Sequence, residues 1–323
     1  MRKTIVIFLV MIMSLALIIP GCAGEAEVKE VEEVKEVTVG NKNFTEEYII
    51  GQLMKQVLEE NGFKVNLVSD LSTMALREGM EAGDIDISAD YTGTAWMTHL
   101  QHEYEQGTDN NEIYEMVKEE DAGNGFVWLD AIWNNNTYVL VSWPEFVQEN
   151  NIESISDLAA LYQAGEVEVK TFVGFEFSTR PDGLPALEEF YGFEVPEASL
   201  MTGAPGASLL GLENKQCDVA MAFGTDAIIA KYSWHAYQDN KAFWPPYDLA
   251  PYIRKDTIEK YPELADILNE LVATFPGGGE SATPAIVSQG QVVWQQLNAK
   301  VDIDKMEPDE VAREYLLEHG LVK

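Results

Sequence analysis

The chain has 323 residues, of which 46% are hydrophobic, an ordinary share for a globular protein and enough to bury one large core or two moderate ones. Its 55 acidic residues against 21 basic ones give a formal net charge of −34, which repels nucleic acid and anionic lipid surfaces. The same charge suits a protein kept soluble in high salt, where repulsion is screened, or is an acidic surface without that meaning.

Arg2 and Lys3 precede an apolar run over residues 5–19, which fits the hydrophobic part of a secretory signal and is short for a membrane span. The run closes on Pro20-Gly21-Cys22, a small residue before a cysteine, as in a lipoprotein cleavage box. Residues 1–22 therefore read as a signal peptide with a lipobox, and cleavage leaves Cys22 as the first mature residue, ready for a lipid. The alternative is an ordinary signal peptide with an incidental cysteine. Residues 23–35 are charged and lack aromatics, which reads as an acidic tether. Cys217, the second cysteine, sits in an apolar strand pattern, so no disulfide framework is expected.

A β-like run over 36–39 stops at Gly40. Thr45 is placed to cap a helix carrying Ile49, Ile50, Leu53, Met54, Val57 and Leu58 at helical spacing, which Gly62 ends. A strand over 64–68, a helix from Ser72 or Thr73 to Gly83 and a strand over 85–89 complete a βαβαβ unit and predict a parallel sheet. The pattern restarts with a helix over 154–161, a strand over 166–171, a helix over 182–191, a helix over 207–214 and a strand over 217–223. From Lys255 onward the chain reads as helical over 262–275, 284–298 and 308–319. The Gly277-Gly278-Gly279 run lacks the following Gly-Lys-Ser/Thr of a phosphate loop.

The two units share a signature. Asp86 precedes Tyr91 by five residues and Asp218 precedes Phe223 by five, and each aromatic is followed by a small-polar turn. Ligands of open α/β sheets lie beyond the carboxyl ends of the strands, so two facing units would set two aromatics across one cleft.

Several segments resemble the substrate-binding proteins of ABC importers for glycine betaine, choline and carnitine. They are residues 40–48 (GNKNFTEEY), 90–95 (DYTGTA), 135–138 (NNTY), 176–184 (EFSTRPDGL), 223–226 (FGTD) and 245–247 (PPY). The resemblance runs in order from about Val37 to the C-terminus. It implies an α/β, two-lobe periplasmic-binding-protein-like fold with a ligand cleft between lobes, one lobe of residues 36–136 plus 247–323 and the other of 137–246. It also implies an aromatic cage of Tyr91, Tyr138, Phe223 and Tyr247 around a trimethylammonium group, and a carboxylate clamp of Arg180, Lys42 and the Thr94 hydroxyl. Glu176 is expected to orient Arg180 or to close the lobes. Phe223 replaces a tyrosine common in the family. Asn136 replaces an acid of some members, and its main-chain carbonyl remains available to the cation. Trp96, Trp128 and Trp133 stand near these segments and are candidates to reshape the box.

The implied function is a receptor for an osmolyte, glycine betaine ahead of choline or carnitine, working with an ABC permease and its ATPase. It would be held on the outer face of the cytoplasmic membrane by a lipid anchor alone. No cofactor, metal or covalent chemistry is implied. Blander readings make Tyr138 and Tyr247 interface packing and Arg180 a structural ion pair with Glu176 or Asp182. An enzyme on the same fold would need an acid–base pair, for which Glu176 and Asp90 have no obvious partner. His99 and His102, at i, i+3 beside Glu103, read as a solvated helix face ahead of the alternative, a metal site.

Overall fold

The structure, a computed structural model, describes residues 34–276 and 288–323. The expected signal peptide, Cys22, most of the tether and the triple glycine lie outside the described residues.

Ten strands alternate with helices: β1 (Glu36–Lys42), β2 (Lys64–Leu71), β3 (Ile87–Tyr91), β4 (Phe126–Trp128), β5 (Tyr138–Ser142), β6 (Thr171–Gly174), β7 (Leu200–Gly203), β8 (Val219–Phe223), β9 (His235–Ala236) and β10 (Leu249–Arg254). They build two five-stranded sheets, ordered β2-β1-β3-β10-β4 and β7-β6-β8-β5-β9. In the first, β1 runs parallel to β2 and β3, and β10 is antiparallel to β3 and β4. In the second, β6 runs parallel to β7 and β8, and β5 is antiparallel to β8. The sheets therefore repeat one design, three parallel strands and then an antiparallel strand that follows a crossing between the sheets, β10 in the first and β5 in the second.

The spacing signature has a structural cause. Asp86 accepts the main-chain N–H of Thr38 at 2.8 Å, and Asp218 accepts that of Lys170 at 2.8 Å, so each acid ties the entry of its parallel strand pair. Five residues on, Tyr91 and Phe223 end β3 and β8, directly opposite Leu249 and Tyr138.

Helix α1 (Thr45–Glu60) buries its predicted apolar face completely, and it packs under the C-terminal helices Glu263–Val272 and Pro308–Glu318. Its cap is not Thr45. The helix starts there from an extended Phe44, and the Thr45 hydroxyl donates instead to Asp302 at 2.7 Å. Helix α2 (Thr73–Ala82) is capped by the Ser72 side chain and ended by left-handed Gly83. The expected strand over 166–171 forms later, at β6, after a helix extended to Ala164 and a left-handed Gly165. The sequence pattern missed the helices Asn110–Gly123, Pro144–Asn150 and Ala227–Tyr232, the antiparallel strands β5 and β10, and the strands β4, β7 and β9, the last three too brief for a period to register.

The chain crosses between sheets at residues 134–137 and again at 245–248, and three asparagines lace these crossings together. Leu249 N–H donates to the Asn134 side chain at 3.0 Å, Tyr247 N–H donates to that of Asn135 at 2.9 Å, and Asn136 N–H donates to the Tyr247 carbonyl at 2.8 Å. Asn135 adopts a positive φ of 37°, which asparagine tolerates better than most residues.

Candidate functional site

One cavity of about 710 Å³ lies between the carboxyl ends of the two parallel strand sets. All nine residues expected at the ligand line it. Lys42 ends β1, Tyr91 ends β3, and Thr94 follows in the next turn. Asn136 sits on the first crossing, and Tyr138 opens β5. Glu176 and Arg180 lie in the loop after β6, Phe223 ends β8, and Tyr247 sits on the second crossing.

The rings form a continuous row. Tyr91 lies 6.2 Å from Phe44, Phe44 stacks 5.2 Å from Phe223, Phe223 lies 5.4 Å from Tyr138, and Tyr247 meets Tyr138 edge-on at 5.6 Å. Phe177 packs 4.8 Å from Tyr138. Gly93 allows this closeness, because a Cβ there would lie 2.8 Å from both the Tyr247 ring and the Pro246 carbonyl. The Tyr91 hydroxyl donates to Glu46 at 2.8 Å and that of Tyr247 to Asp182 at 2.6 Å, so each ring is fixed through a buried carboxylate. Trp96, Trp128 and Trp133 do not line the cavity; they pack in a separate cluster behind β3 and β10.

Arg180 and Lys42, the two cations expected at the ligand, each carry a dedicated acid. Arg180 donates through Nε and Nη2 to the two oxygens of Asp182, each at 2.7 Å, and Nη2 also lies 3.2 Å from the Thr94 hydroxyl. Burial alone would raise the Asp182 carboxyl, but Arg180 outweighs it and holds it below the usual range. Nη1 has a long contact with the Thr73 hydroxyl, at 3.4 Å, and the Glu176 carboxylate 3.9 Å away. Lys42 pairs with Asp90, whose second oxygen meets His99 at 2.9 Å. There too the pull of burial is outweighed, by Lys42 and His99, and the Asp90 carboxyl is depressed. His99 is thus buried, not on a solvated face; His102 alone is exposed, against Glu120.

Glu176 stands 3.9 Å from Arg180 and accepts instead from the Thr73 N–H at 3.0 Å and the Thr73 hydroxyl at 2.7 Å. Thr73 opens α2 beside the first sheet, so this contact spans the cleft. A second bridge runs from the helix Gln289–Asp302, where Asn298 donates to the Thr225 carbonyl at 3.1 Å and Gln295 to that of Gly224 at 3.0 Å.

The profile of the substrate-binding domain of ABC-type glycine betaine transport systems matches residues 35–318. The chain belongs to this family. It is 30% identical to a glycine-betaine-binding protein of Pseudomonas aeruginosa, over 94% of this chain and 93% of that one. It is 29% identical to the glycine betaine-binding protein YehZ of Escherichia coli, over 89% and 92%. A crystal structure titled as a glycine betaine/carnitine/choline ABC transporter superposes with a TM-score of 0.65 at 23% identity, covering 88% of this chain and 99% of that one, and shows the shared two-lobed fold. Members of this substrate-binding family are extracytoplasmic receptors of osmolyte importers, not enzymes. Among the described residues, no helix is long and apolar enough to cross a membrane.

In this family member, sequence reasoning assigned Phe44 and Glu46 no role, and weighed Asp182 only as an ion-pair partner of Arg180 and Asp90 only as an enzyme's acid–base group, although all four lie in the matching segments. The signal for the two aspartates was available. A buried Lys or Arg needs a counter-charge, and an acid stood two residues from Arg180.

Proposed function

We propose that the cavity captures a quaternary-ammonium osmolyte, glycine betaine first, with choline and carnitine as its competitors, and presents it to an ABC permease. The observation that carries this is the row of rings from Tyr91 to Tyr247, bounded on one side by Arg180 with its Nη1 edge turned from Asp182. A trimethylammonium group has no N–H to donate and is weakly hydrated. Ring faces attract it by roughly 0.5–2 kcal/mol per desolvated contact, and they also cover its methyl surface. The ligand carboxylate would sit at the open edge of Arg180 with the Thr94 hydroxyl and Lys42, where a planar guanidinium suits it.

On this reading residues 36–136 plus 247–323 and residues 137–246 are the two lobes, and the asparagine-laced crossings are the hinge. The contact of Glu176 with Thr73 belongs to the closed form. Cys22 would carry the lipid that holds the receptor at the outer face of the cytoplasmic membrane. Titration calorimetry with glycine betaine, choline and carnitine tests the proposal. Saturable binding that is lost in Tyr91→Ala and Arg180→Ala supports cage and clamp together. A folded protein that binds none of the three rules the ligand class out.

A further inference from the structure

Glu46 lies on the cavity wall beneath the Tyr91 end of the ring row, fully buried. One of its oxygens accepts from the Tyr91 hydroxyl at 2.8 Å and from the amides of Asn134 and Asn136 at 2.9 and 3.2 Å; the other lies 3.4 Å from the Asn298 amide. These partners are all neutral. The neighbouring cation, Lys42, is committed to Asp90. The other charged groups facing this corner are Glu47 on α1, Asp226 after β8, Asp302 on the helix Gln289–Asp302 and, beyond it, Lys305, whose Nζ is held by the Asp302 carbonyl at 2.6 Å.

We infer that Glu46 is the proton-linked counter-ion of the site, so that capture of the ligand's ammonium ionises it, expels a proton and makes the choice between cationic and zwitterionic ligands depend on pH. The inference rests on reading the cavity as a quaternary-ammonium site. Burial pushes the Glu46 carboxyl up to about 7, and its hydrogen bonds offset this only in part. The group is therefore poised between forms near neutrality. A cation against Tyr91 and Phe44 favours the ionised form. The ionised form in turn draws on the Tyr91 O–H, enriches the ring in electron density and strengthens its hold on the cation. A zwitterion brings its own carboxylate, which weakens the field at Glu46, so glycine betaine should release less proton than choline.

The test is calorimetry of the whole receptor with choline and with glycine betaine near neutral pH, in buffers of low and high ionisation enthalpy, repeated across pH. In the wild type, choline should release up to one proton, with affinity rising by up to about tenfold per pH unit below the Glu46 midpoint. Glycine betaine should show a shallower dependence. Glu46→Gln should remove the release, and Asp226→Asn, the other group that burial raises to about 7, should keep it. Choline binding without proton release in the wild type, or release that persists in Glu46→Gln, overturns the inference and leaves the ligand class standing. Should Glu46→Gln not fold, Tyr91→Phe removes a donor to the carboxylate and should move the midpoint upward; an unmoved midpoint is equally fatal. A folded wild type that binds neither ligand overturns the ligand class and this inference with it.

Discussion

Pairing Lys42 and Arg180 each with its own buried acid sets the electrostatic character of the site. Lys42 and Asp90 cancel, as do Arg180 and Asp182, so the ligand meets oriented donors and not bare charges. Such pairs are costly to break, by about 3–5 kcal/mol when one partner is removed. Substitution at Arg180 or Asp182 therefore affects folding as well as binding. Phe44 offers a cleaner probe, because it is only partly buried and its ring touches Tyr91 and Phe223 alone among the aromatics. Phe44→Leu keeps volume and removes the ring face. The expected result is a loss of about 0.5–2 kcal/mol in quaternary-ammonium affinity, a few-fold to about thirtyfold, with little change in melting temperature. Unchanged affinity would show that Phe44 only packs its neighbours.

At the scale of elements, the loop after β6 holds ligand-facing and lobe-bridging groups together. Arg180 faces the rings while Glu176 reaches Thr73 at the start of α2. Glu176→Ala removes both bonds to Thr73 from a side chain that is 41% exposed, so the fold should tolerate it. Losing these contacts should speed ligand release by about five- to thirtyfold, on the order of 1–2 kcal/mol, read by stopped-flow fluorescence. An unaltered release rate would remove Glu176 from the closing contacts. Legibility in the sequence followed periodicity. The face of α1 and the parallel unit β1, β2 and β3 were readable because their apolar spacing is long and regular. Strands of two to four residues carried no such pattern, and β5 and β10 reveal their antiparallel role only through pairing partners about eighty residues away or more. The site residues were legible as motif positions. That Asp182, rather than Glu176, seats Arg180 was not, because it depends on how the loop turns back after Pro181.

The whole molecule stores several carboxyls where water cannot reach them. Burial raises Glu46 and Asp226 to about 7, Glu47 to about 8 and Asp248 to about 6. A carboxyl whose folded value lies above its unfolded one holds its proton longer in the native state. Stability therefore falls as pH rises from the ordinary carboxylate value through the raised one, and levels off above it. The depressed groups Asp90, Asp121 and Asp182 act in the opposite sense, losing their contribution as pH falls through their folded values. Ligand-free protein should thus melt at a higher temperature near about pH 5 than near about pH 8, contrary to the usual neutral optimum. Calorimetric scans at the two values decide this, and an equal or higher midpoint at the alkaline value would refute it.

The late position of β10 also sets an order of assembly on a chain made from its N-terminus. The first sheet cannot close until Leu249–Arg254 exists, because that strand covers β3 along its whole length and carries β4 on its far side. The second sheet is complete as soon as Ala236 has been made. The half that begins first therefore finishes last, and most of the nascent polypeptide must be present before it can lock. Until then the edge of β3 stays open to unwanted partners, so the interval between the making of Tyr91 and of Leu249 is the stretch in which this chain is most exposed to mispairing.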